Sequence, residues 1–237
     1  MTSKILFSAA ALLVAGGIGA GVAGPGPGGS AAAADPPRFS AKVTNPWSPL
    51  VPGSVAVYSG VTGGRPARDV VTVTSQTKTI AGAPCRVVHD RLYLDGRLAE
   101  RTTDWYAQDA SGNVWYFGER TAELDRRGRV VSTEGSWEAG VDGAKPGIYM
   151  PARPRVGASY RQELYEGHAE DHFRIVALLD AVTPPRGPRV LLTREWTPLE
   201  PGVVDRKLYV RGIGTVVERS LEGGDEHLEL VSLRRNG

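Results

Sequence analysis

Between Asp104 and Glu119 two aromatic-rich segments flank a cluster of turn-forming residues, and this pattern constrains the fold more than any other part of the chain. The segment reads DWYAQDASGNVWYFGE, with Asp109, Gly112 and Asn113 near its centre. Aromatic and β-branched residues suit a half-buried pleated surface, while Asp, Gly and Asn tolerate the backbone geometry of a tight reversal. The pattern therefore predicts a β-hairpin that is also a centre of aromatic packing.

Alternating strand-forming residues and turn signals also recur in the rest of the chain beyond the N-terminal apolar segment. Val71 and Val73 alternate with threonines, and Asp95-Gly96 is typical of a type I′ hairpin turn. No segment carries a sustained 3.6-residue apolar repeat. We therefore expect an all-β fold in which two related antiparallel β-meanders form an open or closed barrel-like curved sheet.

Similarity between the two halves suggests that the meanders arose by duplication. The stretch PWSPLVPGSVAVYSG from Pro46 and the stretch PARPRVGASYRQELYEG from Pro151 share the order of prolines, glycine turn and tyrosine-containing strand. Tyr106 has its counterpart in Tyr209, again followed by a glycine turn and a valine strand. The order predicts an internal repeat. The alternative is convergence, since any two meanders share alternating strands and glycine turns.

The predicted boundaries follow from this repeat. A single all-β domain would span 35–237, with a first meander at 46–134, a Gly/Pro-rich connection at 135–150 and a second meander at 151–234.

The N-terminus is typical of a secretory signal peptide. Lys4 precedes a long apolar run of small residues, and an alanine run ends at Ala34. A basic start, an apolar centre and small residues at the cleavage site predict a signal peptide at 1–34 with cleavage near Ala34, although Ala20 or Ala23 also fit. The alternative is an uncleaved membrane anchor. With cleavage, we expect a secreted, extracellular protein without a transmembrane segment.

Charge and cysteine content narrow the function further. Lys and Arg number 28 against 26 Asp and Glu, and the two signs are interspersed, which argues against nucleic acid as a partner. Cys85 is the sole cysteine, so no internal disulfide forms and no cysteine stands at the export site for lipidation. Its apolar strand context predicts a buried core thiol.

The connection GSWEAGVDGAKPGIYMPARP, at 135–154, is the candidate binding segment. Long glycine-rich loops in compact domains are commonly functional. Aromatic stacking with polar anchors would suit a small amphipathic ligand or a sugar. The alternative is a structural plug whose carboxylates satisfy turn amides. The predicted ligand-binding residues are Trp137, Glu138, Asp142, Lys145 and Tyr149.

Carboxylates in this loop also leave a hydrolase open as an alternative. Glu138 and Asp142 could act as a glycosidase acid and base, provided that they stand at the separation such chemistry needs. No nucleophile motif supports catalysis, because Ser54, Ser136 and Ser159 lack the Gly-x-Ser-x-Gly context. We assign no catalytic residue.

The segment GHAEDHF places His168, Glu170 and His172 at alternate positions. On a strand they would share a face, with the first and last about 13 Å apart, which is too far for one ion. A solvated polar face is the favoured interpretation, and we predict no metal site.

The alternating oxygens of Asp109, Ser111 and Asn113 resemble the start of a calcium loop. Val114 and Arg120 stand where an EF-hand loop has glycine and glutamate, so a hairpin turn explains the same residues without an ion.

Trp47 and the other tryptophans fit either core packing or a binding wall.

The motifs DWYAQDASGNVWYFGE, GSWEAGVDGAKPGIYMPA and NPWSPLVPGS resemble a family of uncharacterised secreted bacterial β-rich proteins. The segment from Tyr209 to Val216 is also similar to the closing hairpin of exported β-proteins, some of which resemble the half-barrels of periplasmic lipoprotein and lipid carriers. That resemblance implies a concave sheet with an apolar inner face. We therefore expect a secreted or envelope-associated domain that binds a small amphipathic ligand or an envelope component without catalysis or cofactor.

Overall fold

The structure is a computed structural model that describes residues 38–180 and 189–235. The predicted signal peptide at 1–34 lies outside these residues. Within them the regular structure is entirely β, and antiparallel strands curl into a nearly closed barrel with one unsealed seam. The predicted all-β, barrel-like fold is confirmed. The described residues contain no helix long and apolar enough to cross a membrane.

The strands of the first half are β1 (Phe39–Ser40), β2 (Val55–Thr62), β3 (Arg65–Ile80), β4 (Ala83–Leu94), β5 (Arg97–Asp109), β6 (Val114–Leu124), β7 (Val130–Ser132) and β8 (Trp137–Glu138). Those of the second half are β9 (Lys145–Met150), β10 (Ser159–Arg161), β11 (Glu163–Leu164), β12 (His172–Asp180), β13 (Arg189–Trp196), β14 (Val204–Val210), β15 (Gly214–Glu222) and β16 (His227–Arg234).

From β2 to β6 and from β12 to β16, consecutive strands are neighbours. The order around the barrel is β10-β12-β13-β14-β15-β16-β2-β3-β4-β5-β6-β9-β11. Strand β16 pairs with β2 from His227 opposite Val61 to Arg234 opposite Val55. This pairing of the last strand with the first long one joins the two meanders into one continuous sheet.

The seam lies between β9 and β10. The segment 159–164 pairs with β12 through β10 and with β9 only through the two residues of β11. Between these pairings the chain changes its partner at Gln162, which is buried. The barrel is therefore held across the seam by one short ladder.

Hairpin turns form where the sequence predicts them. Asp95 and Gly96 both have positive φ, 50° and 75°, as a type I′ turn between β4 and β5 requires. The aromatic hairpin is β5 and β6, and its turn is closed by Asp109, whose carboxylate accepts hydrogen bonds from the backbone N–H groups of Ser111 and Asn113, each over 2.9 Å.

The segment 43–54 is tied to two hairpin turns by hydrogen bonds. Gly212 N–H in the β14–β15 turn donates to Pro46 O, and the Asn45 amide donates to Gly112 O in the β5–β6 turn over 2.9 Å. Apart from the main core, four buried residues form a small apolar cluster: Ala67, Leu92, Leu94 and Leu228.

The connection at 135–150 contains two strands and is not the one long loop that the sequence suggests. Trp137 and Glu138 form β8 beside β6, and β9 extends the sheet along the other part of β6. These strands form although the connection is rich in glycine and proline. The absence of a side chain at Gly118 and Gly147 lets the neighbouring backbones approach to distances at which a Cβ would collide with them.

The histidine segment 168–172 is not one continuous strand. Residues 166–168 make a turn closed by the bridge between Tyr165 and Ala169, and only His172 lies in β12. His168 stacks on Tyr165 with ring centroids 4.2 Å apart. His168 and His172 therefore do not share a strand face, because Gly167 adopts positive φ in the turn that precedes β12.

Candidate functional site

A cavity of about 180 Å³ is lined by residues of β2 to β6, β9 and β14 to β16. Residues 48–50 of the segment before β2 and Leu228 of the small apolar cluster also border it. Side chains of the inward-facing positions of the barrel strands provide the wall. The cavity is the natural place to look for a ligand, since concave sites with a few polar groups are the usual binding sites.

Tyrosine rings form one part of this wall. Tyr106 and Tyr116 stack across β5 and β6 with centroids 4.7 Å apart. Tyr149 of β9 packs against both, at 4.8 Å from Tyr106 and 6.1 Å from Tyr116. Tyr58 borders the cavity from β2, and its hydroxyl donates to Thr215 O over 3.0 Å. Four tyrosines thus border a space that aliphatic and charged side chains also line.

Two carboxyl groups face each other across the same strands. Asp104 is paired directly with Glu119 in the β5–β6 ladder, beside a register shift that follows Asp104. Tyr116 Oη donates to Asp104 Oδ1 over 2.6 Å and lies 3.1 Å from Glu119 Oε2. Both carboxyls are buried, yet the other oxygen of Glu119, Oε1, has no hydrogen-bond partner.

A second carboxyl pair comes from β3 and β4. Asp69 is only 3% exposed, and its pKa is raised well above the usual range by burial and by the neighbouring Asp90, with which it shares a hydrogen bond. Such a bond needs one proton between the two groups. Asp69 Oδ1 remains without a partner.

Burial raises the pKa values of the carboxyl groups that line the cavity. Burial, reinforced by Asp90, raises the pKa of Asp104 to about 7 even though the Tyr116 hydroxyl lowers it. The pKa of Glu119 is raised well above its usual range by burial and by Glu163 and Asp104. These carboxyls therefore hold protons at a pH where exposed carboxyls have lost them.

Two cationic side chains line the cavity, Lys207 and Arg235. Arg235 donates hydrogen bonds to the carbonyl oxygens of Gly212 and Ile213, and the charge of Lys207 is balanced by neighbouring glutamates. Lys207 Nζ lies 2.9 Å from Glu218 and 3.4 Å from Glu195. Burial alone would lower the pKa of Lys207, but the two glutamates raise it well above its usual range. Thr193 and Tyr209 donate further hydrogen bonds to Glu195, at 2.7 and 3.3 Å.

The five residues predicted from the connection are not brought together. Trp137 is buried, packs edge-on against Tyr116 and donates its indole N–H to Glu163 over 3.2 Å. Glu138 forms an ion pair with Lys78 at 2.5 Å. Neither residue lines the cavity.

Of the other three predicted residues, two are exposed and one lines the cavity. Asp142 stands in an exposed turn with φ at 49°, and Lys145 is exposed at the start of β9. Tyr149 alone of the five lines the cavity. Its role in ligand binding stays a prediction, now with a place in the barrel wall.

Sequence reasoning missed the inward-facing carboxyls. Asp69 stands two residues before Val71 and four before Val73, so the alternation that placed the valines inside also placed Asp69 there. Asp104 stands two residues before Tyr106 and could have been found in the same way. The implied apolar inner face is wrong, because acidic and tyrosine side chains occupy these positions among the aliphatic ones.

Metal ligation finds no support in the arrangement of side chains. Across 38–180 and 189–235 no group of three or more His, Cys, Asp and Glu residues could hold an ion. At the hairpin turn Asp109 Oδ2 accepts from the Asn113 amide and the Trp115 indole, over 2.8 and 2.9 Å. Its oxygens therefore serve the turn, as the hairpin interpretation requires.

No protein-family model and no curated protein matches the chain. It is similar to a solved structure from Bacteroides fragilis, named provisionally as an exported protein with a YmcC-like fold, at 13% identity over 81% of this chain and 100% of that one, with a TM-score of 0.43. A provisionally named lipoprotein from Parabacteroides distasonis gives 10% identity over 79% and 98%, with a TM-score of 0.40. Both TM-scores lie below 0.5, so neither likeness assigns a function.

Proposed function

We propose that the protein is an exported binding protein that holds a small amphipathic ligand inside its barrel. The observation that carries this proposal is the cavity of about 180 Å³, with tyrosine and aliphatic walls and a few buried carboxyls. An apolar cavity of about 150 Å³ is known to hold benzene, so this space suits a compact ligand of similar size. Export is supported by the signal-like N-terminus.

The alternative hydrolase gains no support. Its proposed groups, Glu138 and Asp142, stand in an ion pair with Lys78 and in an exposed turn, respectively. Neither reaches the cavity, where a substrate would be enclosed.

Native mass spectrometry tests the proposal on the mature protein purified from the medium of cells that export it. We expect additional mass on the native protein that disappears on denaturation. Ala56→Phe places a ring into the cavity and should abolish that mass, whereas Ala110→Phe, at an exposed turn position, should retain it. Equal ligand mass on wild type and the Ala56 variant would contradict binding in the barrel.

A further inference from the structure

We propose that the outer face of β12 to β15 binds the surface of an anionic phospholipid bilayer, with a row of arginines at the headgroup phosphates and aliphatic side chains beside them against the lipid. This inference concerns the outside of the barrel and does not depend on the ligand proposed for the cavity.

Pairing of the strands places four arginines of distant sequence position side by side. They stand directly opposite one another on adjacent strands, in the order Arg174, Arg194, Arg206 and Arg219. His227 of β16 stands opposite the last of them. Neighbouring strands lie about 4.8 Å apart, so this arginine row extends over about 14 Å. Basic residues that are interspersed with acidic ones along the sequence are thus gathered on the folded sheet.

The arginine row faces away from the barrel interior. Each of its members follows or precedes a residue that is buried or lines the cavity: Phe173, Thr193, Lys207 and Glu218. Successive side chains of a strand point to opposite faces of the sheet, so the arginines lie on the outer face. Arg206 is half-buried, and the other three are exposed.

Few acidic groups balance this charge. Glu222 lies 3.7 Å from Arg194, and Glu229 bonds to His227 at 3.0 Å rather than to an arginine. The other three arginines of the row make no ion pair within 38–180 and 189–235. Like charges directly opposite each other destabilise a sheet. A partner that carries several negative charges would relieve this repulsion.

Aliphatic side chains beside the arginine row favour a bilayer over a soluble polyanion. On the same outer face Leu192 stands opposite Leu208, which stands opposite Val217 in turn. One position further along the face, Leu179 stands opposite Val190 and is 55% exposed. A soluble polyanion needs only the charges, whereas basic and apolar residues side by side are typical of surfaces that bind anionic membranes.

Vesicle binding tests the inference on the mature protein. Vesicles contain either phosphatidylglycerol and phosphatidylcholine in equal parts or phosphatidylcholine alone, and co-sedimentation measures the bound protein. We expect the anionic vesicles to bind about tenfold or more tightly than the neutral ones. Raising the salt concentration from about 0.1 M to about 0.5 M should weaken this binding, because it screens exposed charges.

Variants locate the binding face. Arg194→Gln and Arg219→Gln should each weaken binding to anionic vesicles by about fivefold, and together by about 25-fold. The matched control is Arg126→Gln with Arg127→Gln, which removes the same charge from exposed positions of the β6–β7 turn and should change binding by less than about threefold. Leu179→Ser should weaken binding by about threefold. Circular dichroism verifies that each variant is folded, and the single variants keep the test valid if the double variant unfolds.

Three results would overturn the inference. The first is equal binding of neutral and anionic vesicles, and the second is an equal loss of binding in the two double variants. The third is tighter binding of soluble long-chain polyphosphate than of vesicles together with no effect of Leu179→Ser, which would identify the partner as a soluble polyanion. None of these results bears on the cavity ligand, which native mass spectrometry detects separately.

Discussion

At the scale of single residues, the barrel interior places like charges next to each other. Asp104 stands opposite Glu119, and Asp69 shares a hydrogen bond with Asp90. Opposed like charges destabilise a sheet, and buried charges without partners cost more than exposed ones. The protein tolerates this arrangement because raised pKa values keep protons on the carboxyls, which makes its stability depend on pH.

We expect the free energy of unfolding to fall between pH 5 and pH 8. Burial raises the pKa of Asp104 to about 7 and that of Glu100 to about 8, so the folded state binds more protons than the unfolded state in this window. Stability is therefore full below the unfolded pKa values and is lost as pH rises, by at most about 1.4 kcal/mol per pH unit for each group. His89 and His172 oppose the trend, because burial lowers their pKa values. Urea denaturation at several pH values measures the slope.

Removing one titrating carboxyl should flatten this slope. Glu100→Gln keeps the shape of a side chain that is 9% exposed and accepts a hydrogen bond from Thr102, but it cannot ionise. The variant should lose less stability than wild type between pH 5 and pH 8. Glu123→Gln, on the exposed surface, should leave the slope unchanged. An unaltered slope for Glu100→Gln would show that Glu100 is not a source of the pH dependence.

At the scale of strands, the seam depends on one glycine. A Cβ at Gly147 would collide with the backbone oxygens of Arg161 and Gln162. Without a side chain at this position, β9 can approach the segment that crosses the seam. Where two backbones approach this closely, only glycine leaves enough space.

Gly147→Ala should therefore open the seam and lower the free energy of unfolding by about 1 to 3 kcal/mol. Hydrogen exchange in peptides covering 145–150 and 159–164 should accelerate. Gly128→Ala is the control, because its positive φ of 75° makes alanine unfavourable there while no atom lies near the added Cβ. Undisturbed exchange at the seam in Gly147→Ala would contradict this account of the closure.

Strands and turns were predictable where the signal is local. The β5–β6 hairpin and the Asp95-Gly96 turn follow from residue types at adjacent positions. The seam and the pairing of β16 with β2 were not predictable, because they join segments distant in sequence. Asp69 and Asp104 were missed because inward-facing positions were expected to be apolar, although their alternation with Val71 and Tyr106 already placed them inside.

At the scale of the whole molecule, one sheet contains both meanders. The pairing of β16 with β2 leaves no boundary at which the halves could separate while keeping their ladders. Whether the halves arose by duplication stays a prediction, but the described strands form one continuous sheet. From this continuity we expect the sheet to unfold in one cooperative transition.

We expect thermal unfolding to give one midpoint by far-UV circular dichroism and by tryptophan fluorescence. Leu228→Ala, at a 1% exposed position of β16, should lower both midpoints together, since burial of leucine contributes about 2 to 5 kcal/mol. Leu179→Ala, at a position that is 55% exposed, should change neither noticeably. Two midpoints that respond separately would indicate independently folding halves.

The single cysteine of the chain, Cys85 in β4, can report on opening of the barrel wall. Cys85 is completely buried, and burial raises its pKa to about 12. Alkylating reagents attack the thiolate, so iodoacetamide should label Cys85 only when β4 separates from its neighbours. The labelling rate of the unmodified protein then measures how often the barrel opens, and occupation of the cavity by a ligand should slow it without any engineered probe.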